Sequence, residues 1–403
     1  MNAQPLTLRQ LLWLALALSL GAAVSLGVTR FAYGLLLPPM RVDLQWSYTL
    51  AGAMNTANAL GYLLGALATP ALMRRWGPTR LLLAGAASAS VFMGLTGFFT
   101  DAAVLLVQRV LAGVASALLF IAGGLLAARL GALMPSRSGF LLGLFYGGTG
   151  LGILASALLV PPLLEASREV PHGWAWAWWM LALACVLATG VLSWAARRLE
   201  GLSAPPAPQG ENEAVFRWRD FAPGLAAYTL FGMGYIGYMT FVIALLRESG
   251  VASSRLTVFY ALLGVACFAS SRIWAGLLDR YRAGQPLTVL NGLLGVATLL
   301  PAVTSSWPLM LISGLLFGGV FLSVVASTTA LVRHNLPQPQ WASGISAFTI
   351  VFAFGQIAGP TIVGWIADGP GGLARGLMFS AGALWLGALI ALRQRALPPM
   401  PVT

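Results

Sequence analysis

Arg30 and Arg109 are the residues of this chain whose setting most demands a chemical explanation. Each lies inside a long apolar run, where a charge costs about 2.5–3.5 kcal/mol on insertion scales. All 23 basic residues are arginine, and none of the eleven acids falls near the centre of an apolar run. Asp43 and Asp101, at run ends, are the acids within plausible reach. A guanidinium without a buried carboxylate favours an anionic ligand, which supplies the missing charge and two acceptor atoms for the planar fork. The competing reading is that each arginine snorkels outward or binds a helix-end carbonyl.

Other polar residues at depth could complete such a site. Asn55, Asn58 and Tyr62 are spaced i, i+3 and i+7, which places them on one helix face. Tyr33 follows Arg30 by three residues, and later runs add Tyr235, Tyr238 and Gln356. These nine residues, the two arginines included, are the expected substrate-binding set. Asparagine, glutamine and tyrosine also bond across packed membrane helices or sit in the interface belt, so that reading stays open for each. Arg272, seven residues before Asp279, fits an inner gate or a topology signal.

Catalytic patterns are missing. There is no His-Glu-x-x-His, no Gly-x-Ser-x-Gly and no phosphate-binding loop, and the chain has no lysine. Cys185 and Cys267 lie in apolar runs, and His172 and His334 stand singly in loops. No enzyme activity, metal or cofactor is expected.

The elements that hold these residues follow from composition. The chain has 403 residues, 58% hydrophobic and 8% charged. A soluble domain carries about 25% charged residues, so most of this surface must face lipid. About twelve apolar runs between residues 11 and 392 are long enough to cross a core of ~30 Å. Backbone groups in lipid must pair internally, which makes the runs helices: an all-α polytopic fold. The first run, over 20 residues long, reads as a span rather than a cleaved leader. With the N-terminus inside, fifteen arginines fall in inner segments, five in outer segments and three within runs. That bias predicts both termini in the cytoplasm.

A Pro-rich stretch, 201–220, predicts a cytoplasmic linker between six-helix bundles at 1–200 and 221–403. The two bundles repeat. At one offset of 205, Arg75 meets Arg280, Gly113 meets Gly318, Ser138-Gly139 meets Ser343-Gly344, and Gly150 meets Gly355. Parallel six-helix repeats imply a carrier with two pseudo-symmetric halves.

At this level the chain resembles the major facilitator superfamily (MFS). The segment Arg74-Arg75-Trp76-Gly77-Pro78-Thr79-Arg80 is similar to the superfamily's Asp-Arg-x-Gly-Arg-Arg loop, with Arg74 at the acidic position. Asp279-Arg280 retains the acidic–basic pair in the second half. The resemblance implies gating roles for Arg75, Gly77, Arg80, Asp279 and Arg280, and a place in coupling-ion transfer for Arg109 through Arg109-x-x-x-Gly113. Gly143, Gly147, Gly148, Gly150 and Gly152 resemble the exporters' glycine-rich segment without its Gly-Pro step. The nearest resemblance, over essentially the whole chain, is to the YbfB/YjiJ-like subfamily. It rests on Arg30-Phe31-Ala32-Tyr33-Gly34, Asn55 to Tyr62, Gly234-Tyr235-Ile236 and Gly355 to Pro360.

The resemblance implies a monomeric secondary transporter of the bacterial inner membrane, moving a small organic solute by alternating access with proton coupling. Arginines in runs whose centres hold no acid point to an organic anion. An exporter of drug-like compounds and a transport-inactive sensor remain as alternatives, and nothing suggests a nucleic-acid partner.

Overall fold

A computed structural model describes residues 7–134, 137–200, 216–337 and 340–397. The proposed linker at 201–220 therefore lies largely outside the described residues. Helices account for every regular element among those described. Among the described residues, eleven helical segments are long and apolar enough to cross a membrane. One of them, α3 (Tyr48–Thr96), has 49 residues. At 1.5 Å per residue it is roughly 74 Å long, more than twice the lipid core. It therefore contains two of the expected apolar runs, one on each side of residue 77, which brings the number of candidate crossings among the described residues to twelve.

The join is at Gly77, whose φ of 76° interrupts the helical path. A side chain is disfavoured there by its own backbone, so glycine is the fitting residue. Residues 74–80, expected as an open loop, are otherwise helical. The basic residues Arg74, Arg75 and Arg80 are exposed along this bent segment.

The chain divides into two compact units, Met1–Asp43 with Ala57–Pro205, and Leu44–Thr56 with Pro206–Thr403. In the first unit, helix one is built in three parts. These are α1 (Leu8–Ala22), a π-helical segment (Ala23–Phe31) and α2 (Tyr33–Asp43). Thr7 starts α1 with a capping box closed by Gln10. The unit continues with α3 from residue 57, α4 (Ala102–Ala132), α5 (Ser138–Ala166) and α6 (Trp174–Glu200). The side chain of Asp101 caps α4 by accepting from Val104 N at 3.0 Å. The first helix packs chiefly on α5, with α4 and α6 beside it.

The second unit contains α7 (Ala222–Glu248), α8 (Ser253–Ile273), the short α9 (Ala275–Arg280), α10 (Gln285–Val303), α11 (Trp307–Asn335), α12 (Trp341–Ala367) and α13 (Gly372–Ala391). Helix α7 is its centre, packed on α12 and α13, while α8 lies on α11. Residues 44–56 group with this unit. There Asp368 accepts from Tyr48 N at 2.7 Å and Thr49 N at 2.8 Å, capping the first turn of α3. Thr56 Oγ1 donates to the Ile357 carbonyl at 2.6 Å.

Candidate functional site

The site in the first unit begins with the π-helical segment. Ser25 Oγ donates to the Ser116 carbonyl at 2.8 Å, and Ser116 Oγ donates back to the Ser25 carbonyl. This reciprocal pair joins the segment to α4. Thr29 Oγ1 donates five residues back, to the Val24 carbonyl at 2.7 Å. Wide turns of this kind are rare and recur at functional sites. Here the segment carries Arg30, which is 2% exposed, near its end.

The two arginines have different surroundings. Arg109 Nη1 donates to the Thr29 carbonyl at 2.9 Å, and its guanidinium lies 4.9 Å from the centre of the Tyr33 ring. It is thus held by a carbonyl and an aromatic face. Arg30 lies 6.0 Å from the Tyr62 ring centre, and its Nε and Nη2 are buried without any hydrogen-bond acceptor. A buried donor left unpaired costs about 1–3 kcal/mol, and more when charged.

Helix α3 reaches this place because it lies against α4 with almost no gap. A Cβ at Gly113 would overlap the Asn58 carbonyl, and one at Gly61 would overlap the Val110 carbonyl. This close approach lets Asn58 Nδ2 donate to the Arg109 carbonyl at 3.3 Å, while Asn58 Oδ1 is buried with no donor. The first unit therefore brings together Arg30, Tyr33, Asn58, Tyr62 and Arg109.

Neither acid considered as a partner for the arginines is available. Asp101 caps α4. Asp43 accepts from His172 Nδ1 at 2.6 Å and from Trp174 Nε1 at 2.5 Å. The sequence reading left His172 as a lone loop histidine. Its partner is 129 residues away, and no local pattern could have revealed it.

The other predicted residues belong to the second unit. Asn55 Nδ2 donates to Thr240 Oγ1 at 2.8 Å. Gln356 Nε2 donates to the Tyr235 hydroxyl at 2.8 Å. Tyr238 shares a hydrogen bond of 2.7 Å with Ser313 and stacks on Phe317, so it sits in packed core. Tyr235 belongs to a set of near-parallel rings that includes Phe231, Phe352 and Phe321. Sequence reading missed this ladder, although Tyr228, Phe231, Tyr235 and Tyr238 recur on α7 at intervals of three and four.

The proposed gating residues are peripheral. Arg272, Asp279 and Arg280 are exposed, and Arg280 lies 5.6 Å from the Tyr281 ring centre. Among the described residues Asp279 has no salt bridge. The described residues also contain no cluster of three or more metal-ligating side chains.

Relatives with this architecture are known. A chloramphenicol efflux pump of Mycobacterium tuberculosis (strain ATCC 25618 / H37Rv) is 27% identical over 359 residues, 85% of this chain and 82% of its own length. A chloramphenicol resistance protein of Streptomyces lividans is 27% identical over 355 residues, 85% of this chain and 86% of its own. Among solved structures, a bacterial homologue of the human lysosomal transporter Spinster superposes with a TM-score of 0.71 at 16% identity. That match covers 96% of this chain and 98% of the other. The nucleoside transporter NupG gives 0.68 at 14% identity, covering 96% and 98%. Residues 22–392 match the family described as "Uncharacterised MFS-type transporter YbfB", and the chain therefore belongs to this family of MFS transporters rather than to any class of enzyme.

Proposed function

We propose that this transporter carries a small organic anion by alternating access, and that Arg30 is its principal contact with the charged group. The observation that carries the reading is the pair of buried, unpartnered donors at Arg30 Nε and Nη2. A carboxylate is the complementary acceptor, because its two oxygens match the guanidinium fork. Arg109, Tyr33, Asn58 and Tyr62 complete the first-unit contribution. Tyr235 and Gln356 are a second polar pair, in the other unit. Proton coupling, which rests on the family resemblance, is part of the same proposal. The arginine distribution supports a bacterial inner-membrane protein with both termini in the cytoplasm.

Proteoliposome counterflow tests this directly. Small organic acids should exchange, their methyl esters should not, and Arg30→Gln should abolish exchange. Equal movement of acid and ester, or an Arg30→Gln variant as active as the native protein, overturns the anion assignment.

The chloramphenicol relatives favour a second reading, export of a neutral drug-like compound. It predicts that expression in a sensitive bacterium raises the tolerated chloramphenicol concentration. An unchanged tolerance with the protein present in the membrane removes it.

A further inference from the structure

The first unit leaves two kinds of unpaired polar atom on the residues grouped around Tyr62 and Arg109. Arg30 Nε and Nη2 are donors without acceptors, and Asn58 Oδ1 is an acceptor without a donor. Asn58 is 0% exposed. Its orientation is fixed, because the other end of the amide donates to the Arg109 carbonyl. Turning the amide would set two oxygens against each other, so the free atom is an acceptor. Asn58 and Tyr62 lie one turn apart on the same face of α3. Tyr62 in turn faces the Arg30 guanidinium at 6.0 Å. Arg30 does not donate to Asn58 Oδ1, so a ligand that satisfies both must accept from one and donate to the other.

Resting on the anion assignment above, we propose that the substrate is a hydroxycarboxylate, whose carboxylate meets Arg30 and whose hydroxyl donates to Asn58 Oδ1. The charge of the donor decides between chemical classes. The Arg30 guanidinium, with two unpaired nitrogens, repels an ammonium group, which argues against amino acids. A protonated carboxyl could donate to Asn58, but it would forfeit the charge that Arg30 lacks. A neutral hydroxyl on an ionised acid satisfies both atoms. A site built to accept a hydroxyl discriminates strongly against an analogue lacking it, because its own buried polar atom is then left unpaired.

The experiment measures binding to the purified full-length chain by thermal shift with matched acids: lactate against propionate, malate against succinate, and mandelate against phenylacetate. In at least one pair the hydroxy acid should bind about tenfold tighter or more. Asn58→Ala should reduce that preference to about twofold or less, the hydroxy acid losing more affinity than the plain acid. Asn58→Ser, which restores an acceptor, should recover part of the preference, and Arg30→Gln should weaken both members of the pair. If both acids bind equally and both depend on Arg30, the hydroxycarboxylate assignment fails and the anion assignment stands. A preference that survives in Asn58→Ala also defeats it. If no acid binds, or binding ignores Arg30→Gln, the anion assignment fails and this one with it. The unliganded melting temperatures show whether each variant is folded.

Discussion

The two units are built to the same plan and filled with different chemistry. Helix α2 ends at Asp43 and α7 at Glu248, α3 begins at Tyr48 and α8 at Ser253, and α4 begins at Ala102 and α11 at Trp307. Each pair is separated by the same 205 residues that align the glycines. The packing repeats too. A Cβ at Gly113 would overlap the carbonyl of Asn58, and a Cβ at Gly318 would overlap that of Leu263, again 205 residues on. Against this shared frame, Arg30 corresponds to Tyr235, Tyr33 to Tyr238, Asn58 to Leu263 and Arg109 to Gly314. The second unit places a stacked tyrosine, a leucine and a glycine where the first places Arg30, Asn58 and Arg109. Scaffold and site are thus separable. The repeat preserves backbone contacts, and the unpaired polar atoms around Arg30 belong to the first unit's own side chains.

That contrast is open to direct attack. Arg30→Gln should lower acid affinity by two to three orders of magnitude, since removing one partner of a buried charged contact costs ~2–5 kcal/mol. Tyr235→Phe, at the corresponding position, should change acid affinity by about twofold or less if the charge lies with Arg30. Equilibrium binding to the two variants compares the units at a single register.

Gly113→Ala and Gly318→Ala should each destabilise the protein by ~1–3 kcal/mol, because each forces a methyl group into a facing carbonyl. Only the first should also weaken acid binding, since it displaces Asn58. Melting curves with and without ligand separate the two effects, and equal loss of binding in both would show that site and scaffold are not separable.

Gln356→Leu should cost about 1 kcal/mol through the lost hydrogen bond to Tyr235, leaving the preference for acid over ester in place. The smallest effect belongs to Asp43→Asn. Its pairing with His172 is partly exposed, and such pairs contribute ~1 kcal/mol or less, so a shift of a few degrees at most is expected in thermal unfolding.

How far the sequence revealed this depended on the range of each interaction. Arg30 and Arg109 stood out because a charge in an apolar run is conspicuous wherever the chain folds. The helices were legible for the same reason, and the glycine register exposed the repeat. What separates the two arginines was not legible. Arg109 finds the Thr29 carbonyl 80 residues away, and Arg30 finds no acceptor for two of its nitrogens. Asn55 and Asn58 share a helix face in the sequence, yet tertiary contacts send the first to Thr240 and the second to Arg109. The 74–80 segment carried loop-like residues, but a single turn at Gly77 was enough to change direction, leaving the remainder helical.

The π-helical segment between α1 and α2 gives the first helix two angular phases. Closing each turn over five residues instead of four advances the chain through a smaller angle per residue. Positions after residue 23 therefore fall progressively behind the wheel set by Leu11, Leu14 and Leu18. A stripe extrapolated from those leucines would misplace Arg30, much as a vernier scale misreads when its zero is shifted. One continuous rod can in this way keep its lower side chains meshed with the bundle while aiming an arginine in a direction the lower pattern does not specify.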